Sequence, residues 1–155
     1  MRIIGRLITV TVGYLAGCFA AGVTIVLAVA GWTTGFGDVA LGHLFSHAVY
    51  AGGALAAFIV VLAFPGAVIM VLLAELFAIR NGFFYLLASG LIAAVGYVGA
   101  TDYAFGNNLP EGATDELIVF VAAGLVAGAA YWLIAGRTAG IWPARKAPEA
   151  DPAPD

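Results

Sequence analysis

Charged side chains are scarce in this sequence. Six Lys and Arg and nine Asp and Glu make up 10% of its 155 residues, against about 25% in an ordinary soluble domain. A chain that is 63% hydrophobic, with a mean hydropathy of +1.05, cannot hide its apolar surface from water, so the lipid bilayer is its expected solvent. Cysteine occurs once, at Cys18, which excludes an internal disulfide and a cysteine-rich metal site. Histidine occurs twice, at His43 and His47. The few basic residues form no patch suited to nucleic acid. Ser46, beside His47, and Ser89 belong to no nucleophile–base arrangement, and no phosphate-binding loop is present. The expectation is a non-enzymatic protein without a cofactor.

What the sequence does have is apolar length. A membrane-spanning helix needs roughly 20 apolar residues, and four such stretches can be drawn, over residues 7–30, 48–78, 83–101 and 117–135. The second is the hardest to bound. Apolar residues continue from Leu41 to Ile79, about 60 Å at 1.5 Å per residue, too long for one straight crossing. His43 to His47 therefore read as interfacial, and a kink is expected at Phe64-Pro65-Gly66, where proline removes a backbone donor. A re-entrant hairpin at Pro65 is the alternative. Arg80-Asn81-Gly82 reads as a tight turn. Residues 1–142 thus form one membrane domain. The segment 143–155 holds four of the six prolines and reads as a disordered Pro/Ala tail.

The basic residues set the expected orientation. Arg2, Arg6, Arg80, Arg137, Arg145 and Lys146 all fall on one side of a four-span arrangement, and the two loops on the other side carry none. By the positive-inside rule both termini are cytoplasmic. The fold class is then all-α, a four-helix transmembrane bundle running up-down-up-down, multi-pass in a bacterial inner membrane. Trp32, Tyr50, Tyr97 and Tyr103 are expected at the outer interface, and Phe83, Tyr85, Trp132 and Trp142 at the inner one.

Small residues carry the packing signal, with 21 Gly and 32 Ala in the chain. Helices in lipid associate through close approach at such residues. Gly13 and Gly17 repeat at four-residue spacing in the first span, Ala48, Gly52 and Ala56 in the second, and Gly124 and Gly128 in the fourth. These faces serve either packing within one bundle or association with another chain, in a homo-oligomer or a larger membrane complex.

Four short features invite chemistry. Thr33-Thr34-Gly35-Phe36-Gly37-Asp38 resembles the selectivity filter of the potassium channels, a row of backbone carbonyls that replaces an ion's hydration shell. That family also needs a span and a pore helix ahead of the filter. The stretch from Leu7 to Trp32 holds 26 residues, room for one crossing, so the segment reads as a Gly/Thr loop. Leu15-Ala16-Gly17-Cys18 resembles a bacterial lipobox, which would make Cys18 a lipidation site, but the apolar run continues to Ala30, beyond a signal core. His43 and His47 share one helical face and could grip a metal or flank a haem. Glu75 is the one acid well inside an apolar run, where carboxylates are costly and often functional. It either anchors at the inner interface or, with the Pro65 break, serves a small oligomeric transporter or channel. The leading expectation is an accessory or structural subunit that associates through Gly/Ala-rich faces. The transporter, and a metal- or haem-binding redox accessory built on His43 and His47, are the alternatives.

Overall fold

In lipid every backbone N–H and C=O must be paired within the protein, and an apolar run meets that demand as a helix. The computed structural model describes residues 2–34, 41–106 and 112–139. They form α1 (Arg2–Thr34), α2 (Leu41–Leu76), α3 (Gly82–Phe105) and α4 (Ala113–Ile134), followed by a short 3-10 turn, Gly136–Thr138. All four α-helices are long and apolar enough to cross a membrane. Their outer faces carry large apolar side chains, Phe58, Leu87 and Ile118 among them, which in water would be an aggregation surface. This is a multi-pass membrane protein by the length and composition of its helices. Gly35 to Asp38 of the filter-like segment, and the tail from Gly140 onward, lie outside the described residues.

Several threonine hydroxyls within the helices bond to their own backbone. Thr9 donates to the Gly5 carbonyl, Thr11 to Leu7, Thr24 to Ala20 and Thr101 to Tyr97, at 2.8 to 3.0 Å. Each closes on the preceding turn, so a hydroxyl can sit in an apolar span without a partner elsewhere. Among the described residues no buried side-chain nitrogen or oxygen lacks a hydrogen bond.

Contacts along the helices fix their neighbours. Gly13 packs against Tyr131 and Ala135, and Gly17 against Ala127, which seats α1 on α4. Gly22 and Gly52 meet backbone to backbone, so α1 and α2 touch there. Gly124 lies on Ser89, Gly90 and Ala93, and Gly128 on Tyr85 and Ser89, which joins α4 to α3. Gly66 faces Ile92 across the α2–α3 seam, the sparsest of the four. Two buried clusters result: Met70, Ala74, Tyr85, Tyr131 and Ala135 near one end, and Ala21, Ile25, Val119 and Ala123 toward the other.

Three local features depart from the expected outline. First, α2 begins at Leu41, ahead of the expected crossing, so His43 and His47 belong to its first turns, and it stays helical through Pro65 to Leu76, with no re-entrant hairpin there. Second, the α2–α3 turn is not centred on Gly82. Its left-handed residue is Ala78, at φ 50°, closed by the Ile79 N–H on the Ala74 carbonyl at 2.9 Å. Asn81 caps α3 by accepting from the Phe83 N–H at 3.0 Å, and Gly82 is already helical. An alanine at positive φ crowds its Cβ against the backbone. Ala78→Gly is therefore expected to raise stability by about 1 kcal/mol, read as a higher melting temperature in detergent. Third, Tyr85 and Tyr97 are buried within the bundle, at 0% and 7% exposure, and so do not face the lipid. Tyr50 and Tyr103, at 82% and 95% exposed, remain free to lie in a headgroup layer.

Candidate functional site

The described basic side chains and Glu75 meet at one end of the bundle. Glu75 sits in the last turn of α2, where a negative charge opposes the helix dipole, and α2 has no basic residue there. Arg6, 69 positions earlier on α1, supplies the missing cation. Its Nε donates to Glu75 Oε1 at 2.8 Å, its Nη2 donates to the same oxygen, and its Nη1 donates to the Ala135 carbonyl at 2.8 Å. Arg6 and Glu75 are one-quarter exposed (25% and 28%). One guanidinium thus ties α1 to the ends of both α2 and α4, and it places a positive charge where the α4 carbonyls run out.

The latch extends sideways. Arg80 Nε donates to the Ala139 carbonyl at 2.9 Å, and Trp132 Nε1 donates to the Arg80 carbonyl at 3.0 Å. The Arg137 guanidinium lies 5.6 Å from the centroid of the Trp132 ring, within cation–π range. Behind the latch, the Tyr85 hydroxyl donates to the Ile79 carbonyl at 2.9 Å, and the Tyr85 and Tyr131 rings stack with centroids 5.4 Å apart.

Between the two buried clusters lies a cavity of about 170 Å³, lined from all four helices. The lining is mostly apolar, and several of its hydroxyls have partners within the protein. Tyr14 donates to the Val60 carbonyl at 2.5 Å, Ser89 to the Tyr85 carbonyl at 2.6 Å, and Tyr97 to Glu116 Oε2 at 2.8 Å. Cys18 faces the cavity from α1 and is 5% exposed.

The remaining sequence candidates are placed as follows. His43 and His47 are both exposed on α2, and His47 Nδ1 lies 2.8 Å from the His43 carbonyl. The Ser46 hydroxyl donates to the same carbonyl at 2.9 Å. Among the described residues no group of three His, Cys, Asp or Glu side chains stands close enough to hold a metal. Pro65 is exposed, partway along α2. The faces of Gly13, Gly17, Gly52, Gly124 and Gly128 are all taken up by neighbouring helices of the same chain, and so are closed to an outside partner. Two contributors had no signal in the sequence pattern. Arg6 is an ordinary flanking cation by sequence. Gly22 falls off the four-residue register of Gly13 and Gly17, and only its meeting with Gly52 reveals its role. No family model matches this chain, and no curated protein or solved structure matches it.

Proposed function

We propose that this protein is a non-enzymatic accessory or structural subunit of a bacterial inner membrane. In this reading it is an up-down-up-down bundle without a polar path through it, with both termini in the cytoplasm, working as part of a larger assembly or homo-oligomer. The observation that carries the reading is the commitment of its polar groups. Glu75, in the last turn of α2, is bonded to Arg6, and the interior cavity is lined almost wholly by hydrocarbon. An ion or polar solute would find no stepping stone between the two ends.

The orientation draws support from two sides. Contacts pair residues of rising number on one helix with falling number on its neighbour: Gly13 with Ala135, Gly17 with Ala127, and Arg6 with Glu75 ahead of Tyr14 with Val60. Arg6, Arg80 and Arg137 join one end of the bundle, where the positive-inside rule puts the cytoplasm. Because the Gly-rich faces are spent inside the bundle, association would use the lipid-facing surfaces instead.

The transporter reading requires a free coupling acid and a broken helix. The Arg6 contact and the unbroken α2 weigh against both. Native mass spectrometry on protein gently extracted from its own membrane tests the proposal. Stoichiometric unrelated subunits or a defined homo-oligomer are the expected result. A bare monomer under conditions that keep other complexes intact would sink it.

A further inference from the structure

The 170 Å³ cavity has an unusual combination of properties. It lies within the membrane-spanning part of the bundle, it is only partly enclosed, and its lining reaches the surface at the α2–α3 seam. Leu62, which lines it, is itself 61% exposed. The rim there is cut low by small residues, Ala63 and Ala67 on α2 and Gly96 and Ala100 on α3. A Cβ on Gly96 would meet nothing nearer than Leu62 Cδ2, at 3.9 Å.

Three possible occupants can be compared by size and polarity. Water needs two to four polar partners to stay in a cavity, and the lining here is almost wholly hydrocarbon. A partner helix is about 10 Å across, far too wide for this volume. A single hydrocarbon chain is slender, needs no hydrogen bond and surrounds the protein at high concentration. Apolar cavities of about this size do take small hydrocarbons. Its gain is not transfer out of water, since the bilayer is already apolar, but restored contact along walls that otherwise face a void.

We propose that this cavity is a binding site for one acyl chain of a membrane lipid, admitted from the bilayer through the α2–α3 seam. The chain lies between the Tyr97 and Phe120 rings at one end and Tyr131 at the other, in contact with Cys18 and Ala123.

The test is photolabelling in vesicles of phosphatidylethanolamine and phosphatidylglycerol, doped with a phospholipid whose acyl chain carries a diazirine. Labelled positions are read by mass spectrometry. Cys18 and Ala123, at 5% and 0% exposure, are out of reach of lipid at the outer surface, whereas Leu91, 66% exposed, reports that surface. The expected result is label on Cys18 or Ala123 as well as Leu91 in the unmodified protein. Filling the cavity with Ala63→Phe or Gly96→Leu should remove the interior label and leave Leu91 unchanged. Label confined to Leu91 and similar outer positions would overturn the proposal. So would interior label that persists in either folded variant. If neither variant folds, the labelling pattern of the unmodified protein decides alone.

Discussion

Gly128→Ala should cost about 3 kcal/mol, a large loss for one methyl group, at the upper end of overpacking effects. The added Cβ would sit inside van der Waals contact of the Ser89 hydroxyl and the Tyr85 carbonyl oxygen, and 2.9 Å from the Tyr85 carbonyl carbon. Ser89 could rotate away, although its hydroxyl would then lose the Tyr85 carbonyl. The Tyr85 backbone cannot move without shifting α3. Gly52→Ala should behave alike, because its Cβ would lie 2.7 Å from the backbone N and Cα of Val23. Gly22→Ala meets the Gly52 carbonyl in the same way. Gly99→Ala is the control: nothing lies within 4 Å of its Cβ, and the better helix propensity of alanine should leave stability unchanged or up to about 1 kcal/mol higher. Unfolding in mixed detergent–SDS micelles reads the series. Equal changes at Gly128 and Gly99 would show that close packing does not govern the cost at Gly128.

Breaking the Arg6–Glu75 pair is the second large effect. A partly exposed ion pair contributes less than a buried one, and removing one partner leaves the other charge poorly solvated at the edge of the apolar region. Glu75→Gln is expected to lower stability by about 1–2 kcal/mol. Arg6→Gln should cost more, about 2–3 kcal/mol, because Arg6 also holds the Ala135 carbonyl. The double variant should lose less than the two single losses added together, by about 1 kcal/mol of coupling. Strict additivity in that cycle would show that the two side chains do not depend on each other.

The membrane class and the four crossings were legible in the sequence, because hydropathy over 20 residues is a local property and the bilayer allows few alternatives. Gly13, Gly17, Gly52, Gly124 and Gly128 stood out by spacing, yet spacing could not say whether their faces would turn inward or toward another chain. Their contacts with Ala135, Ala127, Val23, Ser89 and Tyr85 give the answer for this bundle. The Arg6–Glu75 latch was hidden because its partners are 69 residues apart, and no local pattern joins two helix ends. By sequence Glu75 reads only as an anchor at the inner interface or as a transport group. Tyr85 and Tyr97 matched the composition of an interfacial belt, but each hydroxyl found an acceptor inside the fold, at Ile79 and Glu116, so the rings could be buried. The turn after α2 misled for a related reason. Asn81-Gly82 has turn chemistry, and the chain uses Asn81 as a helix cap while Ala78 takes the strained conformation.

The central claim of the proposed function is that Glu75 fastens the bundle and does not carry ions or protons through it. Proton flux into proteoliposomes under an imposed potential measures this directly, with unmodified protein and Glu75→Gln reconstituted side by side. The account predicts that both match protein-free vesicles. A flux through the unmodified protein that disappears in a folded, fully inserted Glu75→Gln variant would contradict it and make Glu75 the coupling group of a transporter.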